Sequence, residues 1–404
     1  MLDNIDYRDY KKCDDIHGTV LYPAVMVAPI QKDILKNLIL RDEIASVFDP
    51  FHGSGTSLYE AMEIAPNMHL VGCDINPLAN LITRVKLQGV NSNIKSDINE
   101  LKEHIIEPKD ISYFSFPNME KWFRTDIIES LKIVRSAITK ISNDQNRLFF
   151  WYMLCDIIRK YSNTRSSTYK LHIKEADAIS RMENNVIEDY IGSVEKNIYK
   201  FLHSSNNFIL YKCNVLEKFR DFENELFDIS ITSPPYGDNA TTVPYGQFSM
   251  LALYTIDRKD LELEGWELDN YSIIDSNSLG GKTKNIIMND FEKALIAPYL
   301  KKISVAKHKK VICFFNDYFL FLRELCRVTK KYIVLTLGNR TVDRVQIDLT
   351  NITKTFLEKN GFENLKFVKR EIPIKRTPKV TSIVNQKPVS SMNYEYIIIH
   401  RRNT

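Results

Sequence analysis

Three short stretches hold residues whose types and spacing could do chemistry. The first is FDPFHGSGT (48–56), where Asp49, Pro50 and Phe51 lead from an apolar run into Gly53, Ser54, Gly55 and Thr56. Glycines in that place let the backbone approach a ligand closely, and the helix that follows offers unpaired N–H groups at its start. No Gly-Lys-Ser/Thr follows, which excludes a Walker-type phosphate loop, and the third glycine of the dinucleotide fingerprint is missing. The second stretch is VGCDINP (71–77), which ends a strand in Asp74, Ile75 and Asn76. An acid at the tip of the second strand is where α/β cofactor folds hydrogen-bond a ribose diol. Either stretch alone reads as a tight turn or an exposed strand end; together they favour a cofactor site. The third is DISITSPPYGD (228–238), in which Ser233, Pro234, Pro235 and Tyr236 end a buried strand abruptly. Proline lacks an N–H and fixes its own backbone, so the pair makes a rigid elbow carrying a hydroxyl and an aromatic ring.

The elements around these stretches belong to an α/β protein. Ile34, Leu35, Leu38 and Ile39 share one side of a helix expected over 30–43. A short apolar strand at 44–48, a helix over 57–64 and a strand over 69–75 complete a strand–loop–helix–strand unit of the doubly wound type. Residues 100–205 are rich in Ile, Lys, Glu and Asn at helical spacing and almost without Gly, which predicts a helical insertion. Strand character returns at 207–213 and 226–232. After a looser stretch (256–288), helix (317–330), strand (331–339), helix (348–361) and a last strand (394–401) follow. The expected organisation is therefore a cofactor-binding part (1–99), a helical insertion (100–205) and a catalytic part (206–404) of one sheet-centred domain.

Bulk properties narrow the class. Of 404 residues, 44% are hydrophobic and 26% charged, ordinary for a soluble globular chain with a sizeable core. The net charge of +4 permits an anionic partner without demanding one. The six cysteines, at 13, 73, 155, 213, 313 and 326, form no C-x-x-C pair, which favours reduced thiols over a disulfide framework or a zinc site. No His pair has metal-binding helical spacing, no apolar run approaches membrane-spanning length, and the polar start MLDNIDYRDYKKCDDIHG is no signal peptide. The expectation is a cytoplasmic protein without a metal.

Taken together, FDPFHGSGT, CDINP and TSPPY resemble the S-adenosylmethionine-dependent amino-methyltransferases of DNA, which methylate N4 of cytosine or N6 of adenine. YPAVMVAPIQ, with Tyr22 and Pro23, is similar to the family's additional cofactor motif upstream of the glycine loop. The resemblance covers 20–85 and 207–400 and leaves the helical insertion outside it. It implies a Rossmann-like class I methyltransferase sheet, S-adenosylmethionine as cofactor, and a duplex DNA partner whose target base leaves the stack. It also implies a restriction-modification or defence context. Ser-Pro-Pro-Tyr is the form commonest in the N4-cytosine group, so cytosine N4 is preferred and adenine N6 is the alternative. In this reading Ser233 Oγ and the Pro234 carbonyl accept the two N–H bonds of the target amine, Pro235 stiffens the elbow, and Tyr236 stacks on the base. Where the family usually closes its third strand with an acid, YKCNVLE offers Asn214.

Two basic runs are candidates for phosphate contact. RKYSNTRSSTYKLHIK (159–174) carries Arg159, Lys160, Arg165, Lys170 and Lys174 with no acid, and lies inside the insertion, a position and size that suit target recognition. KFVKREIPIKRTPK (366–379) is similarly basic, and solvated charge on a helix or strand face competes with DNA contact for both. In GDNATTVPYGQFS (237–249), Tyr245 belongs to a loop expected over the target pocket, with a second base-stacking role or a plain surface position as the two readings. Gly338 and Asn339 in LTLGNRT resemble the family's late strand-end motif near the target base, and Phe116, Trp122 and Phe123 are expected in the core, with aromatic wedges at the DNA as the competing reading. LGGKT (279–283) lacks the first glycine of a Walker loop, and no cysteine follows a proline, which argues against C5-cytosine chemistry. Methylation of RNA or a protein amide, and a DNA-binding subunit with a degenerate methyltransferase fold, are the competing readings.

Overall fold

Seven strands pair in one sheet: β1 (Ser46–Asp49), β2 (His69–Cys73), β3 (Phe208–Tyr211), β4 (Phe227–Thr232), β5 (Thr329–Gly338), β6 (Phe362–Glu371) and β7 (Tyr394–Arg402). Their order in this computed structural model is β3-β2-β1-β4-β5-β7-β6. The first five are parallel, and β7 runs antiparallel to both neighbours. The fold is a Rossmann-like α/β sheet of the methyltransferase type, as the sequence led us to expect. All residues are described except 1–6, 8, 113, 238–242, 263–271, 281–284, 373–379, 385–386, 391–393 and 404; for 272, 380–384 and 387–390 only the backbone is described.

Strand residues alternate between two cores, as the period-2 geometry of a sheet covered on both faces requires. Val47, Tyr332, Val334, Ile397 and Ile399 pack on one face with α1 (Ala28–Arg41) and α2 (Thr56–Ile64). Phe48, Ile333, Leu335, Leu337 and Ile398 pack on the other. There they meet the helices Val305–Val328 and Leu349–Lys359. A third core joins α3 (Pro77–Gln88), α4 (Ile94–Ile106), α5 (Thr125–Lys140), α6 (Asp144–Tyr161) and α7 (Val186–Asn197) to α8 (Tyr245–Thr255). The stretch 100–205 is thus helical and packs on the sheet domain through α3 and α8. Phe116 and Phe123 are buried there and Trp122 packs against the same cluster.

The structure corrects the sequence reading in three places. Residues 245–255 are helix, not loop: Pro244 sits at the N-cap, and past Gly246 the largely apolar run QFSMLALYT continues it. The helix expected over 317–330 begins at Val305, because the polar start VAKHKK hides its first turns. Residues 362–371 form the edge strand β6, concealed by the Lys and Arg residues that edge strands carry. Six residues of the second basic run, 366–371, therefore lie in the sheet. Arg370 pairs with Glu395 at 3.2 Å, and Lys369 Nζ lies 3.9 Å from the Tyr394 ring centre. The rest of that run, 373–379, is outside the described residues, as are 281–283 of LGGKT.

The turn after α8 is held to the insertion by buried charge. Arg147 of α6 donates through Nε and Nη2 to Asp260 at 2.8–3.0 Å, and Trp151 Nε1 donates to the same carboxylate at 2.7 Å. Asp260→Ala removes an acceptor from the Trp151 indole N–H and from a half-buried guanidinium that keeps Asp144 and the Ile141 carbonyl, so we expect a loss of about 1–2 kcal/mol in urea unfolding. An unfolding midpoint that does not move would remove this link from the account of how the insertion is fixed.

Candidate functional site

Parallel pairing of β1 with β4 (Val47↔Ile229, Phe48↔Ser230) brings the first and third chemical stretches side by side at the carboxyl ends of their strands. Pairing of β1 with β2 puts the second stretch next to them. In such sheets this end is where ligands bind.

The loop between β1 and α2 is shaped by two glycines with positive φ, Gly53 at 51° and Gly55 at 72°. At Gly55 a Cβ would also come within 2.6–2.7 Å of the Thr83 side chain, so only glycine fits. Asp74 ties the loop to β2, accepting the Gly53 N–H at 2.9 Å through Oδ2 and the Asn76 N–H at 2.8 Å through Oδ1. Burial raises its pKa. Asp49 is fully buried and its pKa is pushed up to about 7. Burial is the main cause and the Asp74 charge adds to it. The Phe51 N–H, donated to Oδ1 at 3.1 Å, and the nearby Thr232 hydroxyl work the other way. Oδ2 of Asp49 makes no well-formed hydrogen bond among the described residues, nor do the hydroxyls of Thr56 and Thr232.

At the end of β4, Ser233 Oγ and Tyr236 Oη are 2.9 Å apart. Pro234 is buried, and Ser233, Pro235 and Tyr236 are half-buried. The Tyr236 ring packs against the core beneath β5, and burial, aided by the Glu395 charge, pushes its phenol pKa well up. Gly237 leaves room for Arg340, whose Nη1 would lie 2.1 Å from a Cβ at that position. Tyr22 is buried with its ring 5.9 Å from that of Tyr245 and edge-on to Phe248 at 6.0 Å. Buried Pro23 follows it. Tyr245 opens α8, whose first turn is capped by the Asp275 carboxylate (3.2 and 3.3 Å from Gly246 N).

Other expected site residues have structural partners. Asn76 caps α3 at Leu78 N–H (3.0 Å) and donates to Tyr22 Oη (3.1 Å) and Ser249 Oγ (2.7 Å). Asn214 caps the short helix after β3. Asn339 accepts from the Thr350 hydroxyl at 3.0 Å and donates to Asp348 at 3.2 Å, so its amide holds a helix start. In the first basic run, acids from outside the run supply partners. Lys160 pairs with Asp189, and Arg165 with Glu175 at 2.6 Å. Arg159 donates to the Thr168 carbonyl and lies over the Phe248 ring, and Lys174 donates to the Ser162 carbonyl at 2.7 Å. Lys170 is exposed. The run bends into a hairpin through the Thr164↔Ile173 bridge and packs on α8 through Tyr169 and Leu171.

Sequence reasoning missed the side chains that brace the glycine loop from behind. Asn80, Thr83 and Lys86 form a buried polar stripe at three-residue spacing on the largely apolar α3. His52 places Nε2 3.3 Å from Asn80 Oδ1 and Nδ1 3.1 Å from the Gly53 carbonyl oxygen and 3.0 Å from the Thr83 hydroxyl, which itself donates to that carbonyl at 3.1 Å. Polar residues recurring on one face of PLANLITRVKLQ were the available signal.

Sheet order, glycine loop and Ser-Pro-Pro-Tyr elbow define the class as a Rossmann-like methyltransferase. The chain is 32% identical over 403 aligned residues to type II methyltransferase M.MvaI of Kocuria varians, covering 92% of this chain and 87% of that protein. It thus belongs to the type II methyltransferase family. A second relative, type II methyltransferase M.MjaII of Methanocaldococcus jannaschii, is 35% identical over 92 residues, 23% of this chain and 16% of its own. No family model matches the chain. Among the described residues no helix is long and apolar enough to cross a membrane.

Alanine at Gly55 meets both the positive φ and the Thr83 contact, so Gly55→Ala should lower stability by about 1–3 kcal/mol in denaturant titration. An unchanged midpoint would mean the loop relaxes freely and is not held as described.

Proposed function

We propose that the protein is a site-specific DNA methyltransferase that transfers a methyl group from S-adenosylmethionine to an exocyclic amine, N4 of cytosine, within a restriction-modification setting. The observation that carries this reading is the adjacency of the elbow and the glycine loop on paired strands, with Ser233 Oγ 2.9 Å from Tyr236 Oη. Membership of the type II methyltransferases supports it.

The residues at the loop suit the cofactor. Thr56 Oγ1 is a buried polar atom without a well-formed hydrogen bond among the described residues, and such an atom calls for a ligand or water, while the Asp49 carboxylate is met inside the protein by the nearby Thr232 hydroxyl. A carboxylate with an open lone pair suits the positive charges of S-adenosylmethionine, and Asp74 keeps one lone pair on each oxygen for a ribose diol. Tyr22, Pro50, Phe51, Ser54, Ile75, Asn76 and Asn214 complete the candidate cofactor surround. When bound, S-adenosylmethionine supplies an electrophilic methyl carbon on a sulfonium that leaves as a neutral thioether.

The elbow prepares the nucleophile. With the Ser233 O–H donating its hydrogen bond to Tyr236 Oη, the Ser233 oxygen lone pairs are left to accept from the target amine. The Pro234 carbonyl accepts the second N–H bond, and the amine lone pair is withdrawn from ring conjugation. Serine is a neutral acceptor, and we take it to select cytosine over adenine. The hairpin at 163–174, exposed at Arg165, Lys170 and Ile173 and joined to α8 beside Tyr245, is our candidate for contact with the duplex.

Incubation with labelled cofactor and mixed-sequence duplex DNA should yield N4-methylcytosine on nucleoside digestion; label in N6-methyladenine would overturn the base, and label in RNA alone the substrate class. Ser233→Ala should lower kcat by about 10²–10³ while cofactor affinity stays within about twofold. Because a cationic ligand favours the ionised form of Asp49, cofactor affinity should fall as pH drops below about 7, by up to about tenfold per unit. Asp49→Asn should flatten that acid limb, and an unaltered limb in titration calorimetry would remove Asp49 from the cofactor site.

A further inference from the structure

A chain of buried titratable side chains lies behind the glycine loop. Lys86 on α3 is 1% exposed, His17 in the N-terminal segment 2% and Glu60 on α2 5%. Lys86 Nζ donates to the Ser54 carbonyl oxygen at 2.8 Å and lies 3.4 Å from His17 Nδ1, and His17 Nε2 is 2.9 Å from Glu60 Oε1. One proton arrangement satisfies all of these contacts: a neutral His17 donates through Nε2 to Glu60 and accepts at Nδ1 from the Lys86 ammonium. The other side of the same peptide is also held, since the Gly55 N–H donates to the His52 carbonyl at 2.7 Å. The peptide joining the two residues in the middle of the cofactor loop is thus fixed at both its oxygen and its nitrogen.

We propose that Lys86, with His17 and Glu60 behind it, is a positioning residue that sets affinity for the methyl donor by holding the Ser54–Gly55 peptide in its binding orientation. The proposal rests on the cofactor reading of the loop given above. A buried ammonium is a costly way to satisfy one carbonyl, and Asn or Ser could donate there without charge. A charged donor holds the carbonyl more firmly than a neutral one, and it places positive charge behind a loop that would receive a ligand carrying a carboxylate. The groups facing Lys86 are Lys12, Asp15 and His17 from the N-terminal segment and Glu60 from α2. Lys32 on α1 pairs with Glu60 at 3.5 Å, and His203 meets the Lys86 backbone carbonyl at 2.7 Å. Burial foremost, then the Lys12 charge, lowers the Lys86 pKa to about 7, with Asp15 and Glu60 opposing.

The test uses the full chain with S-adenosylhomocysteine as calorimetric probe and S-adenosylmethionine plus duplex DNA for turnover. Lys86→Met, similar in length and apolar, should weaken probe binding about 10- to 100-fold, while kcat at saturating cofactor stays within about twofold. Wild-type affinity should weaken as pH rises through about 7, where Lys86 loses its proton, and the variant should lack that alkaline limb. Burial raises the Glu60 pKa to about 7, so its charge is complete only on the alkaline side of the limb; Glu60→Gln, which keeps an acceptor for His17 but removes that charge, should move the limb to lower pH, and it decides the matter if Lys86→Met does not fold. A variant affinity within twofold of wild type would overturn the proposal. So would kcat, affinity and melting temperature falling together with the alkaline limb intact, because that describes a structural lysine. A wild-type chain that binds no probe would overturn the cofactor reading itself, and this proposal with it.

Discussion

The parallel contact between β1 and β4 is the constraint on which the rest depends. At its amino end Asp228 accepts the N–H groups of Ala45 and Ser46 at 2.8 and 3.2 Å, a tie between residues more than 180 positions apart (|i−j| of 183 and 182). At its carboxyl end the same pairing sets the Asp49 loop beside the Ser233 elbow. All of the helical insertion lies between these two strands in sequence, and it can be large because closing a longer loop adds only slowly to the entropic cost. One strand pair therefore fixes the geometry of the candidate site and leaves the intervening chain open to other uses.

That division explains which features were legible in the sequence. Apolar runs ending in Gly or Pro gave β1, β2 and β4 to within a few residues, because a strand buried on both faces has little choice of composition. The glycine loop was legible because positive φ at Gly53 and Gly55 leaves few alternatives. β6 was not, since its outer positions carry the charges that keep an edge from pairing. The first turns of α8 were hidden by Pro244 and Gly246, residues that read equally as loop. Both misses are cases where local composition serves two structures and tertiary context chooses.

The side chains followed the same logic. Ser233, Tyr236 and Asp49 were singled out because their chemistry suits their place at a strand end, and they are proposed site residues. Asn76 and Asn339 were identified by place alone, and their amides serve as caps and ties. A capping amide and a ligand-binding amide look alike in sequence, since both sit where a strand stops and backbone groups need partners. The basic run at 159–174 was read without its partners because Asp189 and Glu175 lie outside it, and a sequence window cannot see a salt bridge across a hairpin.

The glycine loop is flanked by charges held close to neutrality. Asp49, at the end of β1, is raised to about 7, and Lys86, behind the loop, is lowered to about 7. The two have opposite consequences for stability. A raised acid contributes stability that is fully present below its unfolded pKa, near 4, and is lost as pH rises to about 7. A lowered lysine penalises the fold below about 7, and that penalty is relieved as pH rises from about 7 toward its unfolded value above 10. Near neutral pH neither group is committed to its charge. Burial thus lets both groups change charge near neutral pH, which a pair of fully exposed groups, with their ordinary pKa values, would not do.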